Sequence, residues 1–227
     1  MDLLIGIPAF NEETMIGKVL KSLPKRIPGI DRIDILVVDD GSSDRTAAVA
    51  KNSGALVLRH IINRGLGGAL KTIFAYAGKY RYDLLVTIDA DGQHHPADIV
   101  KILRPVIDNG KDVVIGTRWK NSLKKKFILR YLINQLANFY TFLLYGIETG
   151  DSQSGFRSFS GKAVKKINLS SDGMEVSSEF FREIYRHDLI YDEVPVKLIY
   201  TDYSQGKGQR LSNAPNVFFR QFLRLLR

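Results

Sequence analysis

Three short acidic runs offer chemistry in this sequence. They are Ile7-Pro8-Ala9-Phe10-Asn11-Glu12, Val38-Asp39-Asp40-Gly41-Ser42 and Thr87-Ile88-Asp89-Ala90-Asp91-Gly92-Gln93. Each follows an apolar stretch of strand length, and open α/β sheets bind ligands beyond the carboxyl ends of their strands. Carboxylates gathered at one rim repel each other unless a cation or a donor group compensates. Asp89 and Asp91 bracket one small residue, so both can reach one side of a bend. With Gln93 as a third oxygen ligand they suit Mg²⁺ or Mn²⁺ shared with a diphosphate. An Asp-x-Asp triplet alone is a common turn sequence. Its place at a strand end, beside two other acidic ends, makes a metal–nucleotide site of it. Asp44 and Asp98 read instead as helix-start acids.

The elements that must hold these ends alternate along the first half. Leu3 to Pro8, Ile33 to Asp39, Ala55 to Leu58, Leu84 to Asp89 and Val113 to Gly116 read as strands covered on both faces. Amphipathic helices fall roughly at Glu12 to Leu23, Asp44 to Asn52 (with Ser43 as N-cap), Gly67 to Lys79 and Pro96 to Asn109. This alternation predicts an α/β/α sandwich on a mostly parallel sheet. Beyond it come a basic stretch (Arg118, Lys120, Lys124, Lys125, Lys126, Arg130) and a long apolar helix near Phe127 to Tyr145. A strand near Gly155 to Ser160, a helix near Glu175 to His187, a strand near Val194 to Tyr200 and a helical tail follow. The expected organisation is one domain in two halves, 1–117 for a nucleotide and 118–210 for an acceptor, with an amphipathic helix over 211–227.

The 227 residues include no cysteine, which excludes disulfide scaffolds and thiolate zinc sites and fits a reducing cytosol. Thirty-three Lys+Arg against 24 Asp+Glu give +9, suited to an anionic membrane or a phosphorylated substrate. A nucleic-acid-binding protein would share the charge but would leave the acidic strand ends and apolar helices without a role, so no nucleic-acid partner is expected. The start reads as strand, without the basic and small-residue pattern of a signal peptide.

Ile7-Pro8-Ala9-Phe10-Asn11-Glu12-Glu13, Val37-Val38-Asp39-Asp40-Gly41-Ser42-Ser43-Asp44 and Asp89-Ala90-Asp91-Gly92-Gln93-His94 together resemble the family-two inverting glycosyltransferases of GT-A fold. Gly116-Thr117-Arg118 and Gln153-Ser154-Gly155-Phe156-Arg157 look like the dolichyl- or polyprenyl-phosphate mannose synthase branch and its glucosyl relatives. The resemblance runs to about Tyr203. It implies a GT-A type Rossmann-like sandwich in which Pro8, Ala9, Phe10, Asn11, Glu12, Val38, Asp39 and Asp40 line the nucleoside pocket. It implies that Asp89 and Ala90 border the diphosphate and that Asp91 and Gln93, helped by Asp89, hold Mg²⁺ or Mn²⁺. Arg118 and Arg130 would meet an acceptor phosphate, Ser154 and Gly155 would lie near the reacting sugar, and Lys207 or Arg210 would take the place of a C-terminal-loop arginine. The implied donor is a nucleotide-sugar, GDP-mannose first, with UDP-glucose, UDP-N-acetylglucosamine and a hydroxyl acceptor as alternatives.

A polyprenyl monophosphate is already an oxyanion near neutral pH, so it needs cations to orient it rather than a general base. Glu175 and Glu179 are therefore read as acids that cap and solvate their helix. Polar residues inside Phe127 to Tyr145 argue against spanning a bilayer and for a helix lying in its interface. The tail, with Phe218, Phe219, Phe222, Leu223 and Leu226 opposite Arg220, Arg224 and Arg227, suits an anionic surface. A peripheral protein on the cytoplasmic face is expected, alone, as a homo-oligomer or with a membrane-anchor protein. Gly65-Leu66-Gly67-Gly68 lacks the third glycine of a dinucleotide fingerprint and is read as a close backbone approach to the donor. His94 and His95 are read as shaping a helix start, and His60 and His187 carry no signal.

Overall fold

The computed structural model describes residues 1–118 and 128–199. Among the described residues, seven strands form one sheet in the order β3-β2-β1-β4-β6-β5-β7. They are β1 (Asp2–Ala9), β2 (Arg32–Asp39), β3 (Leu56–Arg59), β4 (Leu84–Thr87), β5 (Val113–Thr117), β6 (Arg157–Ser160) and β7 (Tyr191–Pro195). Only β6 runs antiparallel, between β4 and β5; the other described pairings are parallel. The sheet therefore crosses position 118 without a break.

Alternation along the strands sends side chains to two separate cores. Leu3, Ile5, Ile7, Val37, Val86 and Val114 meet α1 (Ile16–Ser22), α2 (Thr46–Asn52) and α4 (Asp98–Asp108) on one face. Leu4, Leu36, Val38, Leu85, Val113, Ile115 and Phe159 meet α3 (Gly65–Lys79), α6 (Gly161–Lys166) and α7 (Val176–Arg186) on the other. Side chains such as Leu3, Leu4, Ile5 and Leu36 are wholly buried, worth roughly 1.5–3 kcal/mol each. This is the sandwich the alternation predicts.

The structure corrects several local readings. β3 is an edge strand whose Leu56 and Leu58 remain exposed, so it is not covered on both faces. α1 starts at Ile16 because Glu12 to Met15 turn first, with the Met15 and Ile16 N–H groups donating to the Glu12 carbonyl. At α2 the capping oxygen comes from Asp44, which accepts from the Thr46 N–H at 2.9 Å, and not from Ser43. α4 starts at Asp98, leaving Pro96 outside it. β7 ends at Pro195, where the apolar alternation misleads. Val196 N–H still donates to Thr117, but Leu198 and Ile199 cross to the loop at Gln93 and His94. α6, capped by the Ser160 hydroxyl, has no counterpart in the sequence reading.

The long helix α5 (Ile128–Tyr145) has its polarity reversed. Asn134, Asn138 and Thr141 are buried, while Leu132, Leu136, Phe139, Phe142 and Leu143 are exposed. The asparagines face inward because they satisfy backbone: Asn138 Nδ2 donates to Gly150 O at 3.0 Å, and Asn138 Oδ1 accepts from Ser152 N–H at 2.8 Å. No described helix is long and apolar enough to cross a membrane. The side chain of Arg130, the stretch Trp119 to Phe127 with its lysines, Lys207, Arg210 and the tail over 211–227 lie outside the described residues.

Candidate active site

The ends of β1 and β2 are laced together. Asn11 takes a left-handed backbone (φ 54°), which asparagine tolerates better than most residues. Its Oδ1 accepts from Ser43 N–H at 2.9 Å, and its N–H donates to Ser42 Oγ at 2.9 Å. Glu12 N–H donates to Thr46 Oγ1 at 2.7 Å. Pro8 and Ala9 end β1, Ala9 O accepts from Asp40 N–H, and Phe10 stands exposed at the mouth. Val38 is buried in the core behind them.

Asp39 and Asp40 are both buried but differently engaged. Asp39 accepts from Ser42 N–H, and Arg59 Nε lies 3.1 Å from its Oδ2 without being aligned as a hydrogen bond. Asp40 accepts from His60 Nδ1 (2.6 Å), Arg64 N–H (2.9 Å) and Gly65 N–H (2.7 Å). It thereby caps α3 from a distance, where a carboxylate also meets the positive end of the helix dipole. His60 completes the arrangement with Nε2 at 2.9 Å from Thr72 Oγ1, a role the sequence did not signal.

The glycines opening α3 approach the protein itself. A Cβ on Gly67 would stand 2.1 Å from Ser171 O, and the Gly67 and Gly68 N–H groups donate to Asp172 O. The reading of a close approach to the donor is corrected accordingly: this backbone is filled by the loop at 171–173.

Beyond β4, Asp89 and Asp91 stand on the turn that the sequence predicts. His94, buried and 4.9 Å from the Phe156 ring, places Nε2 3.1 Å from Asp89 Oδ2. Its role is to orient Asp89, not to shape α4, which starts four residues later. Asp91 accepts from Gln93 N–H at 3.0 Å and from Gln93 Nε2 at 2.6 Å, so Gln93 is turned onto its neighbour. Ala90 is buried between the two acids. Burial opposes ionisation of Asp89, but the His94 hydrogen bond and the charges of His94, Arg118 and Arg157 outweigh it and hold the carboxyl below its ordinary value. Burial and then the charge of Asp89 push the Asp91 carboxyl above its ordinary value. Two adjacent carboxylates that resist sharing negative charge are what a divalent cation relieves. Among the described residues no cluster of three or more acidic, histidine or cysteine ligands forms a cage. The donor set fits Mg²⁺ or Mn²⁺ held by one or two carboxylates with the remaining positions left to phosphate oxygens and water.

Across the rim from Asp91, one buried ion pair holds the end of β5. Arg118 grips fully buried Asp151 through Nε at 2.7 Å and Nη2 at 2.8 Å. Ser154 is buried and its hydroxyl donates to Gly116 O at 2.6 Å, which fixes the turn into β6. Gly155 lies so close to Asp89 that a Cβ there would stand 2.3 Å from Oδ1. Glu175 and Glu179 do not solvate α7: both are buried, and Glu179 accepts from Ser170 N–H, Ser170 Oγ and Ser171 N–H. Glu179 thereby holds the chain at Ser170 and Ser171, next to the loop that fills the glycine-lined start of α3.

Arg157 belongs to the stretch Gln153 to Arg157 singled out above, but the sequence assigns it no role of its own. Arg157, on β6, is only 2% exposed. Its Nη2 donates to Ser152 O (2.8 Å) and Ser177 O (3.1 Å), and its guanidinium lies 4.6 Å from the Phe180 ring centre. Burial lowers its pKa to about 10. A charge between Phe156 and Phe159 in a buried strand was the signal available.

The chain matches the family model described as "Glycosyl transferase family 2" over residues 4–167. It is 46% identical over 223 residues to an uncharacterized protein of Methanocaldococcus jannaschii, covering 96% of this chain and 90% of that one. It is 36% identical over 235 residues to the UDP-N-acetylglucosamine–dolichyl-phosphate N-acetylglucosaminyltransferase of Methanococcus voltae, covering 94% and 92%. It is 31% identical over 180 residues to the polyprenol monophosphomannose synthase of Mycolicibacterium smegmatis, covering 74% and 65%. Among solved structures, Mycobacterium tuberculosis glucosyl-3-phosphoglycerate synthase, in complex with Mn²⁺, UDP-glucose and phosphoglyceric acid, superposes with a TM-score of 0.73 at 20% identity. That match covers 95% of this chain and 75% of that one.

Proposed function

We propose, for a chain that belongs to glycosyl transferase family 2 and is a glycosyltransferase of GT-A fold, transfer of a sugar from a nucleotide-sugar to a polyprenyl monophosphate with inversion. The observation that carries the reading is the pair Asp89 and Asp91 on one turn beyond β4, with Asp89 packed against Gly155 and contacted by His94. A divalent cation on this pair would neutralise the departing nucleoside diphosphate. Pro8 to Glu12 with Asp39 and Asp40 form the nucleoside side, and Arg118 and Arg130, with Lys207, the acceptor-phosphate side.

Relatives named for dolichyl phosphate and for polyprenol monophosphomannose support this acceptor. GDP-mannose stands first on the family resemblance alone, since the sequence does not identify the donor base. The relative at 36% identity is named for UDP-N-acetylglucosamine, which makes that donor the first to test. The exposed apolar face of α5 and the charge of +9 support a peripheral station on an anionic, cytoplasmic membrane face. The halves proposed at 1–117 and 118–210 are then two parts of one domain.

The test is transfer of radiolabel from UDP-N-acetylglucosamine, GDP-mannose and UDP-glucose to a short polyprenyl phosphate with Mg²⁺ or Mn²⁺. An organic-extractable product from one donor, abolished by chelation and by Asp91→Asn, is the expected result. Transfer to a soluble hydroxyl acceptor with none to the lipid would overturn the acceptor assignment.

A further inference from the structure

The chain between α5 and β6 is gripped on both sides of Asp151. Asn138, buried on α5, donates from Nδ2 to Gly150 O at 3.0 Å and accepts at Oδ1 from Ser152 N–H at 2.8 Å. One amide therefore ties the residues before and after Asp151 to the helix. From the sheet, Glu193 on β7 accepts from Gly150 N–H at 2.9 Å and from Thr149 Oγ1 at 2.6 Å. Asp151 turns both carboxylate oxygens to Arg118. Its Oδ2 accepts from the Arg118 N–H (3.1 Å) and Nε (2.7 Å), and its Oδ1 accepts from Nη2 (2.8 Å).

A two-point bond between guanidinium and carboxylate fixes the plane and direction of the arginine. That carboxylate takes its own direction from the turn that Asn138 holds. Arg118 keeps 17% of its side chain in solvent and its charge acts on Asp89, so it stands at the rim of the site. Arg157 depends on the same turn, since its Nη2 donates to Ser152 O at 2.8 Å. Asn134, one helical turn earlier, is as buried as Asn138. Its Nδ2 donates to the same Gly150 O at the longer distance of 3.4 Å, while Ser152 N–H is held by Asn138.

We propose that Asn138 is a positioning residue for the acceptor step: by fixing the turn that carries Asp151, it sets the direction in which Arg118 meets the acceptor phosphate. The proposal rests on the polyprenyl-phosphate reading above. It gives α5 two tasks, because the helix that carries this amide also turns Phe139 and Leu143 outward. The face offered to the membrane and the group that aims Arg118 belong to one helix.

The experiment uses whichever of UDP-N-acetylglucosamine, GDP-mannose and UDP-glucose the wild type transfers. It measures kcat/KM for a short polyprenyl phosphate, KM for that donor and the melting temperature in wild type, Asn138→Ala and Asn134→Ala. Asn138→Ala should lower kcat/KM for the lipid phosphate at least about tenfold, as misplacement of a binding group by a fraction of an ångström does. Its donor KM should stay within about twofold of wild type. Asn134→Ala should lose a similar amount of melting temperature and keep kcat/KM within about threefold. Asn138→Asp, of equal size, keeps the acceptor for Ser152 N–H and gives up the donor to Gly150 O. It should lose kcat/KM in the same direction, and it is the second variant if Asn138→Ala does not fold. Equal losses of kcat/KM in the two alanine variants, unchanged kcat/KM in a destabilised Asn138 variant, or an equal rise in donor KM would leave Asn138 a structural residue and overturn the proposal. Transfer by wild type to a hydroxyl acceptor and none to the lipid overturns the acceptor reading itself, an outcome seen before any variant is made.

Discussion

Replacing Gly155 with alanine tests whether the position of Asp89 governs the reaction. The new Cβ would stand 2.3 Å from Oδ1, 2.7 Å from Oδ2 and 2.8 Å from Cγ of Asp89, where ordinary contact begins at 3.4 Å. Gly155 has no left-handed φ, so the backbone accepts alanine and the carboxylate must yield instead. A retreat of about 1 Å is required, and displacements of that size at a reacting group cost on the order of 100-fold in rate. The movement also strains the 3.1 Å contact to His94 that orients the carboxylate. Overpacking of this kind costs about 1–3 kcal/mol of stability, so the variant should fold. Steady-state kinetics with varied metal and donor, alongside thermal unfolding, separate the two effects. A folded Gly155→Ala enzyme within about threefold of wild type in kcat/KM would refute the reasoning, since Asp89 would then tolerate displacement.

Asp151→Asn should remove the counter-charge of Arg118 inside the protein and cost roughly 3 kcal/mol or more in urea unfolding; a loss under about 0.5 kcal/mol would mean the pair is not buried in solution. Burial opposes ionisation of Glu179, but its hydrogen bonds to Ser170 and Ser171 prevail and hold the carboxyl below 4.5. The stability it gives is therefore present above the unfolded pKa and lost as pH falls through the folded one, so Glu179→Gln should flatten the acid limb of stability against pH, and an unchanged slope would count against it. Phe139→Ser with Leu143→Ser should abolish flotation with anionic vesicles while leaving the melting temperature near wild type, because both side chains already face solvent; retained flotation would place the membrane contact elsewhere. Gly78→Ala, whose Cβ meets nothing nearer than 4.0 Å, should stabilise α3 by up to about 1 kcal/mol on chemical denaturation, and a loss of stability would expose an unrecognised contact.

The sandwich was legible because strand and helix periods alternate cleanly through the first 117 residues, and the three acidic runs do fall at strand ends. What escaped the sequence is tertiary. Nothing local says that Asp40 will cap α3 across 25 residues, or that the α3 glycines will be filled by the loop at 171–173. Val194 to Tyr200 alternates well, but pairing with β5 selects Tyr191 to Pro195 instead. Arg157 could have been noticed as a charge set between phenylalanines; that its Nε and Nη1 have no hydrogen-bond partner among the described residues is visible only once Ser152, Ser177 and Phe180 surround it.

The reversed polarity of α5 changes what sequence drift can do to this helix. In an ordinary amphipathic helix the oily positions are fastidious and the polar ones are interchangeable. Here Leu132, Leu136, Phe139 and Leu143 touch little protein and can exchange freely among bulky apolar types, while Asn134 and Asn138 meet the carbonyl of Gly150 and cannot become leucine without orphaning it. A deep mutational scan of α5 would read as the negative of a core helix, with its strictest positions at the asparagines that a hydropathy plot scores as flaws.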